Sequence, residues 1–214
     1  MQPSADTTKW TRRWLKEIND AENSKLFKAY YDKTGIINPE EPGKLYIVSR
    51  AHPDSPYANQ QHVWSVKFKY GREPDCYVFP VSPPLVRCET PIFHPNISEA
   101  GSICLDILKT VDVASQATKN PNEREYGWQM SYGLEAVFNS LLALLEDPNT
   151  GSPFNKYANL AYIKHRDALK AKTPGEATRY RRELDDHYGQ KLLTSHRQMI
   201  EKILAGKAWG KDAF

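Results

Sequence analysis

The sequence predicts an α+β domain: a helix, then a four-stranded antiparallel meander, an irregular segment, a core helix and further helices. Three observations carry that prediction. Trp10, Trp14 and Ile18 recur at four-residue steps with Leu15 beside them, the spacing of one helix face. Between residues 26 and 88, short alternating runs are separated by turn-forming stretches, as in strands joined by hairpins. From Ser131 to Glu146, Leu134, Val137, Phe138, Leu141 and Leu145 form a helical stripe, which marks the principal core helix.

Composition bounds the class. A chain of 214 residues, 40% hydrophobic and 26% charged, has room for one domain with a sizeable core. A net charge of +3 is too small to argue for nucleic acid or a membrane surface as a partner. Three cysteines make no disulfide framework and point to a reducing compartment, cytoplasmic or nuclear. Met1 to Asp6 lacks the apolar centre of a signal peptide, and Leu141 to Leu145 is far too short to span a bilayer. The expectation is a soluble intracellular protein.

The first helix is expected from Thr7 to Ala21, with Lys9, Arg12, Arg13 and Lys16 as a basic stripe. Taken alone, such a stripe is a solvated face. Leu26 to Tyr31 reads as the first strand and Lys44 to Arg50 as the second. In the third, Val63 to Tyr70, Trp64, Val66, Phe68 and Tyr70 alternate with Ser65, Lys67 and Lys69, which predicts a polar outer face. Leu85 to Cys88 is the fourth, with Cys88 a small core residue and Cys76 a loop thiol. Between the last two strands, Pro80, Pro83 and Pro84 remove three N–H donors and stiffen Phe79 to Pro84 as a loop.

The most informative stretch runs from Phe93 to Leu108. It opens His94-Pro95-Asn96, turns at Gly101, and ends in Ile103-Cys104-Leu105-Asp106-Ile107-Leu108. If that end is extended, its parity buries the three aliphatics and turns Cys104 and Asp106 outwards together. The turn folds Asn96 back towards the thiol, where an amide N–H can hold a developing oxyanion. Asn96 can equally stiffen the loop by bonding its backbone. After Leu108, residues 109–127 lack hydrophobic periodicity and carry cancelling charges, so they read as a long loop that is either functional or disordered, and of these we expect a lid or specificity loop. Ser131 stands where it could cap the core helix. Asp147 to Pro153 is a turn by composition, and Pro153 to Ala171 a third helix with Tyr157, Leu160, Ala161 and Lys164 at helical spacing. Further helical patterns follow at Glu176 to Tyr188 and from Gln190. The organisation expected is a core of residues 1–188, interrupted at 109–127, with a helical extension at 189–214.

His94-Pro95-Asn96, the eight-residue step to Cys104 and the flanking aliphatics together resemble the active-site signature of ubiquitin-conjugating enzymes. Phe79-Pro80-Val81-Ser82-Pro83-Pro84, Pro56-Tyr57, Trp128 and Asp147-Pro148-Asn149 resemble further segments of that family. The resemblance implies the UBC-like fold and a cysteine that carries ubiquitin as a thioester. Cys104 would be the nucleophile and Asn96 the oxyanion donor, with Asp106, Asn149 and Ser152 beside the incoming lysine. His94, Pro95 and Trp128 would be structural. Lys9, Arg12, Arg13 and Lys16 would dock on the activating enzyme, and Pro80, Val81 and Ser82 on a ligase, RING-type by expectation. Implied partners are ubiquitin, its activating enzyme, a ligase and protein substrates. No cofactor or metal is implied, since ATP serves the upstream enzyme.

Other readings weigh less. A cysteine protease would need a signature around Cys104 that is missing, and Cys104, Cys88 and His94 lack the paired spacing of a zinc site. A non-catalytic ubiquitin-binding variant would lack the cysteine. A carrier of another ubiquitin-like modifier shares much of the signature and stays open.

Overall fold

The computed structural model describes residues 5–25, 27–31, 45–58, 61–68, 79–111, 119–120, 126–173, 175 and 179, with only the backbone for 5–11, 30 and 31. Helix α1 (Ala5–Glu22) leads into strands β1 (Lys28–Tyr31), β2 (Leu45–Arg50), β3 (Gln61–Lys67) and β4 (Leu85–Cys88). A 3-10 turn (Asp106–Leu108), helix α2 (Leu134–Glu146) and helix α3 (Lys156–Lys170) follow. The strands form one antiparallel sheet in the order β1-β2-β3-β4, so each pairs with its sequence neighbour. The α+β meander expected from the alternation is what forms. Expectations about Lys9 and Trp10 side chains, the 32–35 turn, Lys69, Tyr70, Cys76, most of 112–125 and the helices beyond Glu176 lie outside the described residues.

The core lies between the sheet and α2. Ile47 pairs with Trp64 and Trp64 with Cys88, so one row across three strands faces inwards. Leu134, Val137, Phe138, Leu141 and Leu145 pack onto it from α2. Phe27 stacks on Phe138 at 4.7 Å, and Trp14 meets Phe68 edge-on at 5.8 Å, which fastens both helices to the sheet.

Several local expectations are corrected. On β3 the outer face is not uniformly polar and open: Val63 and Ser65 are buried. The chain after β4 folds over them, with Val63 donating to Thr90 Oγ1 at 2.7 Å and Ser65 to Glu89. Leu15 is exposed, and Glu17, 5% exposed, takes the inward place. Its carboxylate accepts the Leu134 N–H at 2.7 Å and pairs with Arg13 at 2.8 Å. The start of α2 is therefore capped from another helix, and Ser131 is not its cap; Gly133 stands at that position without a side-chain bond. On α3 the expected stripe is the wrong face. Tyr157 is 80% and Leu160 58% exposed, while Ala158, Asn159, Tyr162, His165 and Ala168 are buried. Polar tethers decide the rotation: Asn155 caps the helix through Ala158 N, and Asn155 N itself bonds Pro95 O at 3.0 Å.

Candidate active site

The turn that carries the candidate site is set by a close approach. Gly101 takes φ 81°, and a Cβ there would lie 2.1 Å from the Cys88 carbonyl oxygen, so a side chain would force the backbones apart. That approach lets Cys88 N donate to Gly101 O at 2.9 Å, docking the turn on the end of β4. Ser98 N donates to Ser102 O, and Ile97 bridges both His94 and Ile103. Ile97 is fully buried beneath the turn. On the return limb, Cys104 N donates to Asn96 O at 2.9 Å, so the candidate nucleophile is held against His94-Pro95-Asn96 by its own backbone.

The Cys104 thiol is half-buried, with Leu105 and Ile103 partly packed against the core. Extended geometry stops at Leu105. Leu108 N bonds Leu105 O and Lys109 N bonds Asp106 O, winding Asp106–Leu108 into a 3-10 turn. Ile103, Leu105 and Ile107 still pack against the core and Asp106 still lies outside, but a 3-10 turn and not extended alternation produces that division. The Asp106 carboxylate is exposed and accepts from Lys109 Nζ at 2.6 Å. Cys88 is the opposite kind of thiol. Burial pushes it up to about 12, and its Sγ is directed at Thr90 O.

His94 is fully buried, with both ring nitrogens committed. Nδ1 accepts from Asn96 N at 3.0 Å, so Nε2 carries the proton and donates to Leu144 O at 3.0 Å. Burial, opposed by the Leu144 carbonyl and aided by His62, lowers its pKa from the ordinary 6.5 to about 3. A neutral imidazole with no free lone pair can neither take a proton from an incoming amine nor ligate a metal. Tyr57 lies against its ring at 4.8 Å and donates to Phe93 O, so the Pro-Tyr corner braces this turn.

Asn96 is 1% exposed, and its amide is spent on the 147–153 loop. Nδ2 donates to Asn149 O at 2.8 Å, with a longer 3.5 Å approach to Ser152 O, while Oδ1 accepts from Asn149 N at 2.8 Å. The Asn149 N–H requires an oxygen opposite it, which fixes the orientation of the amide. Asn149 Oδ1 in turn accepts from Gly151 N at 2.9 Å. Asn149 and Ser152 are both exposed at the rim. The structure thus joins Cys104, Asn96, Asn149 and Ser152 through backbone and amide bonds, and leaves Asp106 on a separate turn.

The domain model described as "Ubiquitin-conjugating enzyme" matches residues 13–175, well over half of the chain. The chain belongs to the ubiquitin-conjugating enzyme family. It is 31% identical over 124 residues to "Ubiquitin-conjugating enzyme E2 pex4" of Dictyostelium discoideum, covering 56% of this chain and 68% of that relative. "Ubiquitin-conjugating enzyme E2 2" of Yarrowia lipolytica is 35% identical over 88 residues, 41% of this chain and 48% of the relative. Its Neurospora crassa namesake is 36% identical over the same length and shares. The chain spans about half the length of these last two relatives.

Against the resemblance to ubiquitin-conjugating enzymes, the basic stripe on α1 is divided. Arg12 and Lys16 are exposed, but Arg13 turns inwards to Glu17 and donates to Tyr132 O at 2.9 Å. A carboxylate in the cap position attracts that one guanidinium, so Arg13, still partly exposed, also braces the start of α2. Trp128 Nε1 donates to Pro80 O at 2.7 Å, and its ring stands 5.9 Å from Phe79. That bond anchors the proline loop, leaving Val81 half-buried and Ser82 buried. Among the described residues no group of three His, Cys, Asp or Glu could hold a metal ion, and no helix is long and apolar enough to cross a membrane. Three positions escaped the sequence reading: Glu17, Asn155 and Asn159. Asn155 had a signal, an asparagine just before a helical run. For Glu17 and Asn159 the partner lies far along the chain, and spacing carries no sign of it.

Proposed function

We propose that the chain carries ubiquitin as a thioester on Cys104 and passes it to a lysine of a protein substrate. The observation that supports this reading is the Cys104 N–Asn96 O bond, which holds a half-buried cysteine against Asn96, whose side chain bonds the 147–153 loop. In the first step the Cys104 thiolate attacks the carbonyl of ubiquitin's thioester on the activating enzyme. The activating enzyme's thiolate leaves, so one thioester is exchanged for another. In the second step a substrate amine attacks the Cys104 thioester, loses a proton, and expels the Cys104 thiolate as the amide forms. Asn149 and Ser152 wall the approach of that amine. Asn96 holds the wall through its two bonds to Asn149, and its second N–H, on the long 3.5 Å approach to Ser152 O, turns to the oxyanion as the tetrahedral adduct forms. His94 is a structural strut.

Arg12 and Lys16 offer charge to the activating enzyme, and the Pro80-Val81-Ser82 loop offers a face to a RING-type ligase. The setting is intracellular, cytoplasmic or nuclear. Ubiquitin is the modifier favoured by the family match. Charging with a panel of modifiers, each with its own activating enzyme and ATP, tests this. A reductant-sensitive adduct is expected with ubiquitin and not with the related modifiers, and Cys104→Ala should abolish it. An adduct with another modifier alone, or one that survives the substitution, contradicts the proposal.

A further inference from the structure

We infer that Asn159 of α3 is a positioning residue for the amine-accepting wall of the site, an assignment that rests on the reading of Cys104 as the carrier. Asparagine is a poor choice inside a helix, because its side chain competes for backbone bonds. Here it is 9% exposed, and it spends its amide on another segment: Nδ2 donates to Thr150 O at 3.2 Å. Its Oδ1 is buried without a hydrogen-bond partner among the described residues. Rotating the amide would set that oxygen against the Thr150 carbonyl, so the stranded acceptor accompanies the donor bond. An apolar residue would fill the space without stranding an acceptor, so packing alone does not account for the choice.

The bond completes a suspension. The 147–153 loop has no ladder of its own. Asn96, from the nucleophile's turn, takes the carbonyls of Asn149 and Ser152, while Asn159, from α3, takes the carbonyl between them. The bond from Asn155 N to Pro95 O ties α3 to the nucleophile's turn, so the two amides keep a fixed separation. With both amides in place, Asn149 and Ser152 are fixed on two sides; without Asn159 the side-chain tethers left to this loop among the described residues are Asn96 and, at its start, Tyr162 on Asp147. Positioning of this kind acts on the amine's approach, and not on thioester exchange. A displacement of about 1 Å can cost about 100-fold in rate.

The test uses the full chain with Asn159→Leu, which keeps a branched side chain and removes both donor and stranded acceptor. Asn159→Asp, which keeps the shape, removes the N–H donor and sets a carboxylate against the Thr150 carbonyl, serves as the second variant. Amide hydrogen exchange at Asn149 and Gly151 in the uncharged protein reads the clamp without any activity. Discharge of the preformed thioester onto free lysine, followed over a range of lysine concentrations, reads its use. Both variants should exchange at least about ten-fold faster at those two amides. They should charge as the parent does and need about ten-fold more lysine for half-maximal discharge. Asn159→Leu should do so at an unchanged or raised melting temperature. Unchanged exchange overturns the clamp, whatever the activity. Faster exchange with unchanged discharge, or charging and discharge that fall together with the melting temperature, overturns the positioning role. A parent chain that takes no ubiquitin would sink the carrier reading and this role with it, whereas the exchange result would still stand for the clamp.

Discussion

Replacing Asn96 with alanine removes the one side chain that, among the described residues, binds the nucleophile's turn to the 147–153 loop. Two bonds of 2.8 Å to the Asn149 backbone disappear, together with the 3.5 Å approach to Ser152 O. Each well-formed bond contributes about 0.5–1.5 kcal/mol net. Asn149 is exposed, so water can satisfy most of what is stranded. The expected loss is about 2 kcal/mol, or about 4–8 °C in melting temperature for a domain of this size. Loosening the wall and removing the N–H from the oxyanion should together slow amine attack by about 100-fold or more. Thioester exchange depends mainly on an accessible Cys104 thiolate and should stay within about three-fold of the parent. The assay is a single-turnover chase of the preformed thioester onto free lysine, below the melting range, with a melting curve alongside. An unchanged melting temperature with discharge abolished would refute the brace argument and make Asn96 a donor alone. Equal losses in charging and discharge would refute any separation of the two steps.

Three further outcomes follow from the same geometry. Shortening residues 112–125 to two glycines should move the melting temperature by less than about 2 °C. The ends are already pinned by the 2.8 Å bond from Trp128 N to Lys109 O and by Gly127 against Val111, and only the linkage or rate of product formation should change. A cooperative loss of structure would show that the insertion belongs to the core. Glu17→Ala strips the cap from α2 and strands Arg13, and should cost about 2–3 kcal/mol by chemical denaturation; a change below about 0.5 kcal/mol would contradict the cap. His94, held neutral down to about pH 3 against 6.5 when unfolded, makes the unfolded chain the stronger proton binder between those values. Its contribution is therefore complete above about pH 6.5 and is lost as the pH falls towards 3, at up to about 1.4 kcal/mol per pH unit. Denaturation of the parent and of His94→Gln between pH 4 and 7 should differ by that slope, and parallel curves would contradict a buried neutral imidazole.

The meander and the core helix were legible because both rest on local period: alternation in Leu45 to Arg50, and a stripe of leucines and Phe138 in α2. The motif around Cys104 was legible because Gly101 and the proline-asparagine turn restrict the backbone within a few residues. What stayed hidden depends on partners distant in sequence. Glu17 caps a helix 117 residues away, and nothing in the spacing of α1 distinguishes it from a solvent-facing glutamate. Period shows that residues 156–170 form a helix, but its inward face is chosen by Asn155, Asn159 and Tyr162 bonding to neighbouring loops. Hence Tyr157 and Leu160, hydrophobic by type, lie outside. At Asp106 the expected division of aliphatics inward and carboxylate outward holds, but three residues of 3-10 turn replace the extended alternation that local period implies.

The central claim, that the thioester forms on Cys104, is tested most directly by changing the bond itself. In Cys104→Ser the adduct formed with ubiquitin, the activating enzyme and ATP should be an ester, stable to reductant and cleaved by alkali, where the parent adduct is lost to reductant. An adduct in Cys104→Ser that remains reductant-sensitive would mean that another thiol carries the modifier, and would contradict the account.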